Sequence, residues 1–293
     1  MIQAQQLSKR YRGGQGIHEL SFSVAAGESY GFVGPNGAGK STTIRCLMGF
    51  LKPTAGQASI AGRDCWQDAA AVHALVGYVP GEVVLPGALT GTRFLQDIHD
   101  LYGLRERSRQ DALLDRLQFD PDQAIRLMSK GTRQKLALVA ALMHDPAVLI
   151  LDEPTSGFDP LMQQAFVDLM QDEQARGTTL FLSSHIFSEI ERVCDRVAIL
   201  KAGQIVVEEA IGRLRAEQEV LFDVTLSKTP PPTDVAGLRV VRRQGLVWTV
   251  AVQRDYPAFF ETLARLPVTH LQQRTQDLEA LFRHFYAEEG PSR

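Results

Sequence analysis

The stretch Gly34-Pro35-Asn36-Gly37-Ala38-Gly39-Lys40-Ser41 decides the fold of the N-terminal part of this chain. It follows the short apolar run Ser29 to Val33, which predicts a buried strand. After it, apolar residues recur at helical spacing and predict a helix that begins near Ser41. These residues are Ile44, Leu47, Met48 and Leu51. A strand, a glycine-rich turn and a helix in this order are typical of a phosphate-binding loop.

The residue types in this loop suit a triphosphate. Glycines let successive backbone N–H groups point at phosphate oxygens, and the helix N-terminus adds a favourable dipole. We expect Lys40 to reach the β- and γ-phosphates and the Ser41 hydroxyl to ligate Mg²⁺, while Thr42 adds a further hydroxyl contact. The sequence therefore predicts that residues 34–42 bind a nucleoside triphosphate with Mg²⁺.

A second motif carries two acids. The run Val148 to Leu151 predicts a buried strand, and Asp152 and Glu153 follow it directly. A carboxylate at the carboxyl end of a strand beside a phosphate loop is placed to hold Mg²⁺, directly or through water. Glu153 points to the other side, where it is expected to orient the attacking water as a general base.

The composition narrows the class of protein. The 293 residues suggest two domains, and 31 Lys and Arg against 34 Asp and Glu give a net charge of −3. This balance lacks the basic excess of a nucleic-acid binder, so no nucleic-acid partner is expected. The three cysteines are too few and too far apart for a disulfide framework or a CxxC metal site, which predicts small core residues in a reducing compartment.

No apolar run approaches the roughly 18 residues needed to cross a bilayer, and the start of the chain does not look like a secretory signal. We therefore expect the chain to stay in the cytoplasm and to act on a membrane only through another chain.

The alternation of strands and helices predicts an α/β domain over residues 1–212, with a largely parallel sheet. Its predicted strands are Ser29 to Val33, Gln57 to Ala61, Val76 to Val79, Val148 to Leu151, Thr178 to Leu182 and Val197 to Lys201. A helical subdomain of about residues 83–145 is inserted, in which Ser108 is expected to cap a helix.

Residues 213–293 predict a small α+β domain. The predicted elements are a strand over Val220 to Leu226, a hairpin around Gln244-Gly245, a helix from Tyr256 to Leu266, a short strand near Val268 and a last helix from Asp277 to Ala287.

The insertion explains why the two motifs lie 112 residues apart (152 minus 40). Its last helix begins at Met128-Ser129-Lys130-Gly131-Thr132, which resembles the signature LSGGQ of ATP-binding cassette (ABC) transporter ATPases. Ser129 and Gly131 match, whereas Met128, Lys130 and Thr132 depart from the commonest string. A hydroxyl and free N–H groups at a helix start make an anion site, and Lys130 adds a positive charge.

Other parts of the chain resemble elements of the same family. Ser156-Gly157-Phe158-Asp159 is similar to the D-loop, which implies that Asp159 meets a partner cassette. Residues 178–185 resemble the switch strand, whose final histidine, here His185, contacts the γ-phosphate. Tyr11 lies 23 residues before Gly34 and matches the aromatic residue that stacks on adenine.

One element departs from the family pattern. Where the family's Q-loop has a glutamine, this chain has Gly81, and Glu82 follows one position later. Carboxylate oxygens suit Mg²⁺, so Glu82 is a candidate metal ligand beside Ser41 and Asp152.

The resemblance covers residues 1–212 and implies a P-loop NTPase cassette that binds ATP and Mg²⁺ between two cassettes. The partner is then a second copy or a similar cassette, together with integral membrane permease subunits on separate chains at the inner face of the cell membrane. Export is favoured, since residues 277–282 are similar to exporter tails. The alternatives are an importer subunit, a soluble cassette acting on the ribosome or DNA, and a nucleotide-binding regulator.

Overall fold

The computed structural model describes residues 1–217, 220–229, 238–252 and 256–274. They fall into two compact units, Met1–Ile211 and Gly212–Arg293. The helix predicted for residues 277–287, with the tail that resembles exporters, lies outside the described residues. Within the described ranges, no helix has both the length and the apolar character needed to cross a bilayer.

The elements are numbered in chain order. The strands are β1 (Ile2–Arg10), β2 (Gly16–Val24), β3 (Ser29–Val33), β4 (Ala55–Ile60), β5 (Arg63–Asp64), β6 (Val76–Val79), β7 (Val148–Asp152), β8 (Thr179–Ser184), β9 (Arg196–Lys201), β10 (Gln204–Ala210), β11 (Val220–Leu226), β12 (Arg239–Gln244), β13 (Val247–Val252) and β14 (Val268–Arg274). The helices are α1 (Lys40–Leu47), α2 (Ala69–His73), α3 (Gly91–Tyr102), α4 (Ser108–Leu117), α5 (Lys130–Leu142), α6 (Pro160–Ala175), α7 (Phe187–Val193), α8 (Ile211–Glu217) and α9 (Tyr256–Leu263), and a 3₁₀ turn spans Ile125–Leu127.

A six-stranded sheet in the order β10-β9-β3-β8-β7-β6 forms the centre of the first unit. All neighbouring pairs are parallel except β10 with β9. The register places Val33 beside Ser184, and Asp152 beside Ser183. Since the carboxyl ends of parallel strands share one edge, the loops after β3, β7 and β8 meet there. The predicted α/β fold with a mixed, mainly parallel sheet is confirmed.

A second, antiparallel sheet in the order β2-β1-β4-β5 was not predicted as such. The two strands β1 and β2 are paired with register shifts, at which Gln6 and Glu19 adopt positive φ angles of 49° and 51°. Each irregularity shifts the alternation of buried and exposed residues by one position, which hides the period-two signal of both strands.

The apolar core of this unit lies between the two sheets and α1. At its centre four aromatic rings, those of Phe22, Tyr30, Phe32 and Phe181, contact one another at centroid distances of 5.2–5.8 Å. All three cysteines are free and buried, as expected, and burial raises the pKa of the Cys46 thiol to about 11, which keeps it protonated and unreactive.

The helices α3, α4 and α5 follow one another between β6 and β7, and α5 packs against β6. The prediction that Ser108 caps α4 is wrong. The N–H group of Asp111 bonds the carbonyl of Arg107 at 2.8 Å, so the helix starts one residue earlier and Ser108 is its first helical residue.

The second unit contains the four-stranded antiparallel sheet β12-β13-β11-β14 and the helix α9. The hairpin predicted around Gln244-Gly245 is present as β12 and β13. The ring of Phe259 on α9 packs 4.8 Å from that of Phe222 on β11. A separate apolar core therefore holds this unit together.

Candidate functional site

The glycine-rich loop joins β3 to α1, as predicted, and two of its glycines have no room for a side chain. A Cβ atom on Gly34 would lie 2.6 Å from the carbonyl oxygen of Leu200, and one on Gly39 would lie 2.6 Å from Ile17 Cγ2. Gly39 also has a φ of 110°, which other residues rarely adopt, and it occupies the N-cap of α1. The loop therefore packs tightly against its scaffold, with the first turn of α1 directed at the site.

Lys40 is the first residue of α1 and is 5% exposed. Its Nζ atom donates to the carbonyl oxygen of Gly34 at 2.6 Å and lies 3.2 Å from Oε1 of Glu153. It also donates to the carbonyl oxygen of Pro35 at 3.4 Å, so two carbonyls and one carboxylate hold the ammonium group inside the loop. A phosphate group entering the loop would offer Lys40 a second anionic partner.

Glu153 lies at the centre of a chain of polar contacts. Its backbone has a φ of 47°, an uncommon angle for a residue with a side chain, and its N–H bonds the carbonyl of Ser183 at 3.0 Å. Its Oε2 atom lies 2.9 Å from His185 Nδ1, while Oε1 contacts Lys40. The structure therefore brings together the three residues predicted to be catalytic.

Asp152 is 4% exposed at the end of β7, and its Oδ1 atom accepts a hydrogen bond from the hydroxyl of Ser183. Its other oxygen faces Gly81, where an added Cβ would lie 3.4 Å from Oδ2. Burial and, to a smaller extent, the nearby charge of Asp152 raise the pKa of Tyr78 to about 12. Asp152 is thus fixed by one hydroxyl and keeps a second oxygen available.

A cavity of about 240 Å³ opens over the loop. Its lining includes most of the predicted binding residues and two that the sequence analysis missed, Gln15 and Gly16; the predicted members are Tyr11, Pro35, Asn36, Gly37, Gly39, Lys40, Ser41, Thr42 and Glu153. Tyr11 lines this cavity and is 41% exposed, so its side chain is accessible to a bound molecule.

The residues predicted to hold Mg²⁺ include donor atoms that suit this ion. The Ser41 hydroxyl and the Asp152 carboxylate are hard oxygen donors, which Mg²⁺ prefers, and two protein ligands are usual when phosphates and waters complete the octahedron. The described residues contain no cluster of three or more His, Cys, Asp or Glu side chains that would form an all-protein metal site. Ser41 and Asp152 therefore fit a magnesium ion that arrives with a nucleotide.

Glu82 stays a predicted metal ligand. Its neighbour Gly81 lies next to Asp152, where an added Cβ would be 3.4 Å from Oδ2. Glu82 itself is exposed and, together with Gly81, lines a cavity of about 530 Å³ that also includes Lys130, Arg133 and Gln134.

The signature-like residues lie at the start of α5. Ser129 is the N-cap, with its hydroxyl accepting from the N–H of Thr132 at 3.1 Å. Lys130 donates to the hydroxyl of Ser156 at 2.7 Å, and a Cβ on Gly131 would lie 3.0 Å from the carbonyl oxygen of Gly157. This helix start therefore touches the D-loop-like segment of its own chain.

Asp159, at the end of that segment, has a local role. It is the N-cap of α6 and accepts from the N–H of Met162 at 2.9 Å, followed by Pro160 in the first turn. Asp159 is exposed, as are Ser129 and Lys130, so these residues remain accessible for contact with another molecule.

Sequence reasoning missed several residues that hold the site. Ser183 bonds Asp152, and Glu189 bonds the hydroxyls of Thr155 and Ser184. The available signal was the pair of serines at the end of an otherwise apolar strand, immediately before His185. Polar groups buried at a strand end require partners, and here those partners belong to the site.

This site has the features of a P-loop nucleotide-binding protein. They are a strand, a glycine-rich loop, a helix that begins with Lys40, and a second strand at the same edge of the sheet that ends in acidic residues. The sequence model of the family described as ABC transporter matches residues 17–156. Over 233 residues the chain is 34% identical to the bacitracin transport ATP-binding protein BcrA of Bacillus licheniformis, covering 78% of this chain and 75% of BcrA.

Two further comparisons agree. The chain is 33% identical over 222 residues to the probable multidrug ABC transporter ATP-binding protein YbhF of Escherichia coli, covering 74% of this chain but only 38% of YbhF. A solved structure of an ATP binding subunit of an ABC transporter matches with a TM-score of 0.69 at 31% identity, over 73% of this chain and 92% of that one. The chain belongs to the family of ABC transporter ATP-binding proteins.

Proposed function

We propose that this chain is the ATP-binding and ATP-hydrolysing subunit of an ABC transporter that drives export through a separate permease. The observation that carries the proposal is the contact chain Lys40–Glu153–His185 beside the phosphate-loop cavity. A cation, a carboxylate and an imidazole at the place where a triphosphate fits are the groups that hydrolysis requires. The bacitracin transport of BcrA and the probable multidrug transport of YbhF support a transport role. Similarity to the Nod factor export ATP-binding protein I of Burkholderia orbicola supports export.

The residues divide the reaction between them. The loop N–H groups hold the phosphates, and Lys40 exchanges its contact with Glu153 for phosphate oxygens. Glu153 then accepts a proton from water, whose oxygen attacks the γ-phosphorus as the bond to the bridging oxygen breaks. His185 holds the Glu153 carboxylate in orientation and donates toward the phosphate charge. Ser41 and Asp152 would hold Mg²⁺, which would supply positive charge to the phosphates.

A second copy of this chain completes the site. The sequence contains one phosphate loop, and the start of α5 presents Ser129 and Lys130 at the surface rather than to the cavity of its own chain. A serine hydroxyl, free N–H groups and a lysine at a helix start form a site for the phosphate of another subunit. Asp159 and the rest of the D-loop-like segment lie beside this surface and contact the second copy.

The membrane partner binds an apolar groove. A cavity of about 360 Å³ lies between the helical region and β6 and is lined mainly by apolar side chains, among them Phe50, Tyr78, Val84, Leu85 and Leu101. Val84 is 82% exposed and Leu101 is 76% exposed. Apolar side chains concentrated at one surface mark an interaction site, and a short amphipathic helix of a permease fits such a groove. The chain then sits on the cytoplasmic face of the membrane.

Two measurements test the proposal. The purified chain should release phosphate from MgATP, and detergent-solubilised membranes should yield it in a stable stoichiometric complex with a multi-span membrane protein that alters the rate of phosphate release. Absence of hydrolysis by both the chain and the complex would contradict an ATPase. A hydrolysing chain that binds no membrane protein would contradict the transport role.

A further inference from the structure

Glu189 is a buried carboxylate with two hydroxyl partners. It lies on α7 and is 5% exposed. Its Oε1 atom accepts from the Thr155 hydroxyl at 2.5 Å, and its Oε2 atom accepts from the Ser184 hydroxyl at 2.9 Å. Burying a carboxylate is costly unless its oxygens are hydrogen-bonded, so these two bonds are the condition for its presence.

The two donors belong to the segments that carry the reacting groups. Thr155 follows Glu153 by two residues, and Ser184 directly precedes His185. The Ser184 oxygen also accepts from the N–H of Ile186 at 2.9 Å, so the backbone is held on both sides of His185. One carboxylate therefore ties together two chain segments whose side chains meet 2.9 Å apart, at Glu153 Oε2 and His185 Nδ1.

The helix α7, which carries Glu189, is tightly packed. Ile190, the next residue on α7, is fully buried, and a Cβ on Gly31 of β3 would lie 2.3 Å from its Cγ2 atom. The helix therefore packs closely against the strand that leads into the phosphate loop. A side chain anchored on such an element transmits a fixed geometry rather than following its partners.

We propose that Glu189 is a positioning residue that holds Glu153 and His185 in register with the phosphate loop. This inference rests on the proposed ATPase function. Without Glu189, the segments after β7 and β8 lose their common anchor, and the carboxylate and the imidazole separate. Lys40 keeps its contacts with the loop carbonyls of Gly34 and Pro35, so nucleotide binding is preserved while the chemical step is slowed.

The variants Glu189→Leu and Glu189→Gln separate the loss of both hydrogen-bond acceptors from the loss of the negative charge alone. Leucine removes both acceptors, and kcat for ATP should fall by about 10- to 100-fold while KM changes by less than about threefold. Glutamine keeps one carbonyl acceptor, and a hydroxyl can rotate to accept from its amide, so kcat should recover to within about threefold of wild type.

A double variant provides the decisive readout. If Glu189 acts through His185, Glu189→Leu should lower kcat much less in a His185→Ala background than in the wild type, since coupled residues are not additive. Glu173→Leu is the matched control. Glu173 is also a buried glutamate, but its partners are Arg109 and Thr178, so the variant should lose thermal stability and show no coupling to His185.

Three results would overturn the inference: wild-type kcat in a folded Glu189→Leu variant, an undiminished effect in the His185→Ala background, or the same coupling in Glu173→Leu. If the leucine variant does not fold, Thr155→Val and Ser184→Ala remove the donors one at a time and should each lower kcat, and unchanged rates in both would equally overturn it. If the wild type releases no phosphate, the proposed function fails instead.

Discussion

Replacing Glu153 with glutamine should nearly abolish turnover while leaving ATP bound at least as tightly as before. The carboxylate contacts Lys40 through Oε1 at 3.2 Å and His185 through Oε2 at 2.9 Å. The amide has the same shape and still hydrogen-bonds water, but it does not accept a proton. The effect should therefore appear in kcat rather than in KM.

The size of each effect follows from the contacts. A positioned general base contributes about 10²- to 10⁴-fold, so kcat should fall at least about 100-fold. At 3.2 Å the Lys40–Glu153 pair has a gross attraction of about 5 kcal/mol for an effective dielectric constant of about 20. Desolvation offsets most of this, because the two side chains are only 5% and 24% exposed, and leaves about 1 kcal/mol. Freeing Lys40 from this pair should leave the Kd for ATP unchanged or lower it by up to about fivefold.

Phosphate release at saturating MgATP measures kcat, and calorimetric titration with a non-hydrolysable ATP analogue measures Kd for both proteins. Glu261→Gln, which changes an exposed glutamate of α9, controls for the loss of one charge and should behave as wild type. Turnover of Glu153→Gln within about twofold of wild type would refute the role of Glu153 as the base. A tenfold weaker Kd would refute the competition between Glu153 and phosphate for Lys40.

Lys40→Ala, unlike Glu153→Gln, should weaken ATP binding severalfold or more by calorimetry, and an unchanged affinity would show that the loop backbone alone binds the phosphates. Leu85→Asp should leave the melting temperature and basal hydrolysis unchanged but remove copurification with the permease. A melting temperature lower by several degrees would place Leu85 in the core. Normal permease binding by a stable variant would contradict the proposal that the permease binds this groove. Burial lowers the pKa of His144, whose ring stacks on Tyr102 at 3.9 Å. The contribution of neutral His144 to the free energy of unfolding should therefore be fully present above about pH 6.5, and it should be lost as the pH falls from there toward the lowered pKa. His144→Phe should keep the stack and flatten the dependence of the melting temperature on pH between 7.5 and 5.5, and an unchanged slope would contradict this assignment.

The centre of the site was predictable because its signals are local in the sequence. Gly34 and Gly39 indicate a loop in which larger side chains do not fit, and Lys40 and Ser41 follow at fixed spacing. The acids at the end of β7 stand beside a run of apolar residues that only a buried strand explains. Parallel pairing then brings these ends together without further information.

The remaining parts depend on contacts between distant residues. Glu189 and Thr155 lie 34 residues apart, and nothing in either local sequence indicates that they bond. The strands β1 and β2 were missed because irregular residues at Gln6 and Glu19 break the alternation. Glu82 was proposed as a ligand from its place next to the Q-loop position and from its chemistry, and the sequence did not indicate that Gly81 lies beside Asp152.

The central claim is that two copies of this chain enclose ATP at the site built around Lys40 and Glu153. The molecular mass of the Glu153→Gln variant in solution, measured with and without MgATP, tests it most directly, because this variant should retain ATP without cleaving it. The account predicts 32.4 kDa without nucleotide and roughly twice that mass with MgATP, and no increase when Lys40→Ala is added. A mass that stays at 32.4 kDa under saturating MgATP would contradict it.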